Sequence, residues 1–378
     1  MRTFRILLAL SVWPILLLAQ STPEQIAYAL STRYTPYFDG AARLDLEEVA
    51  AQKVEAWWSS PAERRILGQA LSAAPLAGLH LALDPGHVGG FWAKWEWRNF
   101  RISEQDYWVR EGELVLEVAQ RVRAELTRLG AQVTLLRESS QPINPETFAD
   151  YWPAVAAQRT PPSEVNLQIQ LQHAMAVRDA AIRMAIVSGE LAERARVVNE
   201  QIRPDALLSL HVNAAAWPEG DTQQLVQSDH THVLVFGCLS EAELLSSEHQ
   251  AQLTEKLTNG SGPIEATLGA ALGEALGEAT GLPASDYQGY NAIRIDAEVP
   301  YLWARNLMLL RLVKCPTVLL EPYVANSERE YARIQAALNA RAHHQPLPAD
   351  DILLEYTAAV VEGVMQAYGR LQADGEVQ

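Results

Sequence analysis

Cysteine is scarce in this chain: 378 residues hold two, Cys238 and Cys315. A disulfide framework is therefore excluded as the main constraint, and a domain of this length buries enough apolar surface to fold without one. Both cysteines stand beside predicted strands, so they either remain two buried thiols or form one bridge. Positive charge is also short, with 30 Lys and Arg against 46 Asp and Glu and a net charge of −16. Nucleic acid and anionic membrane surfaces are accordingly poor partners, and an anionic polymer would have to be attracted locally. After residue 20 no apolar run is long enough to cross a bilayer. Internal repeats and low-complexity linkers are absent too, which leaves one domain with additions as the simplest organisation.

Residues 1–20, MRTFRILLALSVWPILLLAQ, place Arg2 and Arg5 ahead of an apolar stretch with a small residue, Ala19, near its end. That pattern is expected of a secretory signal peptide, with an uncleaved anchor as the alternative. Residues 21–75 are rich in Ala, Leu and Glu, include Trp57-Trp58, and read as a helical segment. The expected domain spans 76–372. Its first strand is LHLALD (79–84), followed by an aromatic loop and a helix over 113–128, where Val115, Val118, Ala119, Val122, Leu126 and Leu129 keep a three-and-four spacing. Gly130 ends that helix and QVTLLR (132–137) follows as a strand. Such a βαβ unit implies a mostly parallel, twisted sheet flanked by helices, an α/β fold.

Five prolines between 142 and 162 mark 138–162 as loop, and 163–200 reads as one or two long helices. Strands are expected at 205–211, 232–237 and 316–321, and helices near 240–258, 264–280, 327–340 and 350–371. The Gly and Ala content of 264–280 suggests close packing against the sheet, at some cost in helix propensity.

Polar residues end several of these elements. His87 follows the strand ending in Asp84-Pro85-Gly86, His211 closes ALLSLH, Glu321 closes PTVLLE, and Glu111 precedes the first helix. In an open parallel sheet ligands bind beyond the carboxyl ends of the strands, so one rim receives all four. Two imidazoles and a carboxylate are a zinc-hydrolase ligand set that leaves a position for water, and a further carboxylate can act as general base. His87, Glu111 and His211 are the expected ligands of Zn2+, and Glu321 the catalytic base. The spacing is also compatible with a turn-capping His87, a helix-start Glu111 and a core His211.

LALDPGHVGG, EGELVLEVAQRVRAELTRLGAQVTLLR, ERARVVNEQIRPDALLSLHVNA and LLRLVKCPTVLLEPYVANS together resemble the zinc-dependent N-acetylmuramoyl-L-alanine amidases of the type 3 family. The resemblance implies zinc held by His87, Glu111 and His211, and catalysis by Glu321. It departs at Val88, where the family usually has Gly, at Gly112, where Lys commonly follows the ligand Glu, and at EPYVANS in place of ELGFLSN. With that Lys gone, Glu113 rivals Glu111, although the helix register favours Glu111. Insertions near 90–110, 138–190 and 218–262 exceed the family norm and suit a cleft wall, a lid or a partner surface.

Other residues stay open. Arg311 aligns with a common family Arg that either binds a substrate carboxylate or is paired structurally. Asn213 and Asp84 are candidates to orient the histidines, and Asn213 is also a candidate substrate contact. Trp92, Trp95, Trp97 and Trp108 either stack on sugars or pack their own loop. His230 and His232 form a candidate second metal pair, while strand alternation alone also explains them. His343-His344 is expected to be solvated.

The expected function is hydrolysis of the amide between N-acetylmuramic acid and L-alanine in peptidoglycan, by an exported protein of the periplasm or cell envelope, with no stable membrane insertion once the signal is removed and a possible protein activator. The alternatives are a non-catalytic peptidoglycan-binding regulator and a zinc amidase for another N-acyl amino acid or peptide.

Overall fold

A computed structural model of the chain describes residues 22–52, 74–163, 166–217 and 223–376. The expected signal peptide and the whole of 53–73, with Trp57-Trp58, lie outside the described residues. Strands β1 (His80–Pro85), β4 (Gln132–Leu135), β5 (Ala206–Leu210), β6 (His232–Phe236), β7 (Ile293–Arg294), β8 (Leu302–Arg305) and β9 (Thr317–Glu321) form one sheet in the order β4-β1-β5-β9-β6-β8-β7. A two-residue hairpin, β2 (Asn99–Phe100) with β3 (Val109–Arg110), stands apart within the loop after β1.

From β4 to β9 all pairings are parallel, whereas β6 runs antiparallel to β9 and β8 follows β6. The sheet is thus mostly parallel with a reversed wing. β7 and β8 have no counterpart in the sequence reading, because two- and four-residue edge strands carry too few residues to show a period.

The helix after the hairpin runs Glu111–Arg128 and buries the expected stripe of Val115, Val118, Ala119, Val122 and Leu126. With Ile352–Glu376 and Ser261–Thr280 it covers one face of the sheet, where Leu81, Leu83, Leu208, Val233 and Val318 are buried. The small residues of Ser261–Thr280 let it approach the side chains of Leu302 and Tyr301 closely, as its composition suggested.

The 138–162 stretch departs from expectation: Phe148–Ala157 is helical despite Pro153. Thr147 and Asp150 exchange cap hydrogen bonds, and Val155, Tyr151 and Trp152 pack against the next helix through Val177 and Ala181, which offsets the amide lost at the proline. That next helix starts at Leu167 and continues without a break to Ile202 through two π turns, Met184–Gly189 and Val197–Ile202.

Pro23–Ala29 and Leu46–Ala51 dock on the reversed wing, where Ile26, Leu30 and Val49 pack with Leu234 and Phe236. Arg33 donates from Nε to the Phe236 carbonyl at 2.8 Å and pairs with Glu265, which also receives Lys256 Nζ at 2.8 Å. All three are buried, so the N-terminal segment is fastened by a charge network inside the protein. Both cysteines are free and buried, and burial pushes Cys315 up to about 12. Among the described residues no helix is long and apolar enough to cross a membrane.

Candidate metal centre

Sheet register assembles half of the site. Pro85 lies beside Leu210 and Leu210 beside Leu320, while His232 faces Glu321. The next row across the sheet is therefore Gly86, His211, Glu321 and His232, tied by Gly86 N–H to the Leu210 carbonyl at 2.8 Å and His211 N–H to the Leu320 carbonyl at 2.9 Å. Gly86 is required there: a Cβ would stand 2.3 Å from the His211 ring.

The other half hangs on the loop between β1 and the Glu111 helix. His87 adopts φ 53°, a left-handed conformation that costs a β-carbon residue energy and needs outside support. Two buried arginines supply it. Arg194 donates to the His87 carbonyl at 3.0 Å and the Pro85 carbonyl at 3.1 Å while pairing with Asp84 at 2.9 Å and Glu190 at 2.8 Å. Arg137 donates to the carbonyls of Pro85, Gly86 and Gly112 at 3.0, 3.1 and 2.6 Å. Burial and the neighbouring Arg194 charge lower Arg137 to about 10, so it stays a cation at neutral pH.

Glu111 is the first residue of its helix, where the macrodipole favours a carboxylate. Gly112 behind it answers one departure from the amidase pattern, since a Cβ there would lie 2.4 Å from the Val88 carbonyl. Glu113, the rival, turns away to accept from Gly90 N–H at 2.9 Å and Arg110 at 3.3 Å.

His87, Glu111 and His211 converge, each offering a ligand atom within 4.8 Å of the others. Glu111 Oε1 is 3.0 Å from His211 Nδ1, and Oε2 is 3.5 Å from His87 Nε2. The remaining nitrogens are held from outside. His87 Nδ1 is 3.1 Å from Glu96 Oε1, whose other oxygen accepts from Val88 N–H at 2.6 Å. His211 Nε2 is 3.2 Å from Ser209 Oγ, which donates to Asp84 Oδ2 at 2.6 Å. Because Ser209 gives its only proton to Asp84, it accepts from His211 Nε2–H. Arg98 Nε donates to His87 Nε2 at 3.2 Å, so that nitrogen carries a lone pair. Each imidazole thus turns one nitrogen toward the cluster and has an outer polar group on the other, the arrangement that metal-binding histidines use, and His211 Nδ1–H donates its proton to Glu111 in the absence of a metal. The donor set fits zinc. Arg98 also lies 3.1 Å from Glu111 Oε2. Burial raises the Glu111 carboxyl, but His87, His211 and Arg98 together hold it below its ordinary value.

Glu321 stands beside His211, and its Oε2 is 2.5 Å from His232 Nε2, with Tyr287 OH 3.1 Å from the same nitrogen. Burial pushes the Glu321 carboxyl up, yet His232, His211 and Arg305 hold it down at about 2. His232 is committed to this carboxylate, and His230 stacks on it at 5.5 Å and meets Asn213 Nδ2 at 3.2 Å. Among the described residues these two histidines belong to no cluster able to hold a metal.

Asn213 therefore borders the site through His230. Arg311 is not brought to it: that residue lies on Met308–Leu312, before β9, where Gln252 and Asn306 take its guanidinium at 2.7 and 2.6 Å. His343 and His344 are exposed, as expected. Glu96, Arg98, Arg137, Arg194 and Ser209 escaped the sequence reading. Only Glu96 and Arg98 had a signal available, as the charged residues of the aromatic loop between two candidate ligands.

An α/β protein with a His-Glu-His cluster and a spare carboxylate beyond its parallel strands belongs to the hydrolase class of such sites. The profile of the N-acetylmuramoyl-L-alanine amidase family matches residues 81–343, and the chain belongs to that family of enzymes. No curated protein matches it. Similar solved structures include the N-acetylmuramyl-L-alanine amidase Ami1 from Mycobacterium smegmatis, 18% identical, covering 78% of this chain and 99% of that one with a TM-score of 0.43. The catalytic domain of CwlV, an N-acetylmuramoyl-L-alanine amidase from Bacillus (Paenibacillus) polymyxa var. colistinus, is 15% identical and covers 76% and 96% with a TM-score of 0.36. The CwlD amidase from Clostridioides difficile in complex with the GerS lipoprotein is 13% identical and covers 77% and 99% with a TM-score of 0.39.

Proposed function

We propose that the chain is a zinc-dependent hydrolase of the amide between the lactyl group of N-acetylmuramic acid and L-alanine, acting in cell-wall remodelling outside the cytoplasmic membrane. The observation that carries the zinc assignment is the convergence of His87 Nε2, Glu111 and His211 Nδ1, with the other nitrogen of each histidine held by an outer polar group. Bound zinc supplies Lewis acidity to the amide carbonyl and acidifies a water.

Glu321 is ionised throughout the neutral range and so is able to accept a proton. His232 occupies Oε2, which leaves Oε1 to take the proton from the attacking water and return it to the departing amine of L-alanine. Arg98, 3.1 Å from Glu111 Oε2, supplies a cation at the site to steady the developing oxyanion. Export rests on the Arg2- and Arg5-led apolar start of the chain. The long insertions are the place where a protein activator would act.

Residues 21–378 incubated with peptidoglycan, with and without a chelator, test this directly by mass spectrometry of the new termini. Chelator-sensitive release of peptides beginning with L-alanine is expected. Turnover only of another N-acyl amino acid or peptide would replace the substrate assignment, and chelator-insensitive release would remove the zinc.

A further inference from the structure

A cleft of about 540 Å³ opens on the insertion, between Arg159, just past the helix Phe148–Ala157, and the long helix from Leu167. Arg159 and Arg183 line it, with Asp179, Met184, Val187 and Ser188. The charge here is unusual for this chain. Along the same helix Arg178 pairs with Asp179, Arg194 with Asp84 and Glu190, and Arg196 with Glu193 and Glu200. Among the described residues Arg159 and Arg183 have no carboxylate partner, and the one acid of the cleft, Asp179, is held by Arg178 through two nitrogens at 2.9 and 2.7 Å. In a chain of net charge −16, two unneutralised guanidinium groups on one concave surface are a local reversal of the field.

One side-chain contact links this cleft to the candidate metal centre. The Arg183 guanidinium lies 3.6 Å from the centroid of the Trp97 ring. Trp97 is 72% exposed, and with Arg98, Val212 and Glu111 it lines a second, smaller cavity that includes the proposed ligand. Along the long helix, Arg183 precedes Arg194, which holds the His87 carbonyl, by eleven positions. At about 1.5 Å per residue that is roughly 16 Å, the reach of about five residues of extended peptide at ~3.4 Å each.

Resting on the amidase reading above, we propose that this cleft is the subsite for the peptide portion of the substrate, with Arg159 and Arg183 binding its free carboxylates. Trp97 forms the shared wall between the scissile bond and this subsite. Guanidinium groups are suited to the task because their planar donors match a carboxylate in two-point geometry. The specificity that follows is for stem peptides carrying free carboxylates over the same peptides with those groups amidated.

The test uses the full chain, an N-acetylmuramoyl tripeptide with free carboxylates, and the same compound with its carboxylates amidated. In the Arg159→Gln/Arg183→Gln variant, KM for the free acid should rise about ten-fold, the usual effect of losing a charge-assisted contact, with kcat retained. The amidated compound should show the same KM with both proteins, and Arg183→Lys alone should recover part of the loss. An unchanged KM for the free acid, or an equal rise for the amidated compound, would overturn the proposal. A parallel titration of both compounds into Glu321→Ala by calorimetry reads binding without turnover. Preference for the free acid that disappears with the two arginines would support the subsite even if the wild-type protein hydrolyses neither compound, whereas equal binding of both compounds would overturn it.

Discussion

The two halves of the candidate metal centre are built differently. His211 and Glu321 sit on adjacent buried strands, and backbone register alone sets them side by side. His87 and Glu111 are separated by a loop of over twenty residues, and side chains hold them: Arg137 and Arg194 grip the turn, Glu96 holds the His87 ring, and Gly112 clears the helix start. A strand-borne group inherits its position from the sheet, while a loop-borne group needs buried hydrogen bonds of its own. Damage to outer residues should therefore weaken the loop half more than the strand half.

The largest effect is expected at the centre itself, where both halves are needed. His87→Ala and His211→Ala should each abolish turnover, and Glu321→Ala should lower kcat by about 10²- to 10⁴-fold, measured on soluble muropeptides. Residual activity in Glu321→Ala within a few-fold of wild type would move the proton transfer elsewhere.

Arg194→Met should come next. It leaves Asp84 and Glu190 buried without their partner, and breaking a buried pair in this way costs about 3–5 kcal/mol. Urea unfolding reads the loss, and an unchanged midpoint would show that the DPGH turn does not depend on that arginine.

Glu96→Gln against Ser209→Ala sharpens the contrast between halves. Removing an outer partner of a metal-bound histidine lowers metal affinity by about 10- to 100-fold. The upper part of that range is expected for Glu96→Gln and the lower for Ser209→Ala, since backbone bonds still hold His211. Competition with a chromophoric chelator measures both, and a reversed order would remove the distinction.

The smallest effect is on acid stability. Glu321 is depressed from 4.5 to about 2, so its carboxylate stabilises the metal-free fold above about 4.5 and loses that contribution as pH falls toward 2. Metal-free wild type should thus lose stability relative to Glu321→Gln over that window, followed as urea midpoint against pH. Parallel curves would show that the carboxyl titrates normally.

The strand half was legible in the sequence because apolar runs ending in a single polar residue mark strand ends at a rim. The Glu111 helix was legible through its apolar spacing. The supports of the loop half were not, since Arg137 and Arg194 act on the carbonyls of the DPGH turn, more than fifty residues away, and leave no local pattern. Family resemblance placed Arg311 among possible substrate contacts, and tertiary pairing with Gln252 and Asn306 holds it elsewhere. Counting prolines missed Phe148–Ala157, because tertiary packing outweighed one lost amide.

Metal stoichiometry bears most directly on the centre. Wild type, Glu321→Ala and His87→Ala are purified, loaded with zinc, freed of excess by dialysis and analysed for metal per chain. One zinc in wild type and in Glu321→Ala, with none retained by His87→Ala, is the expected result; full zinc in His87→Ala would contradict the assignment of the ligands.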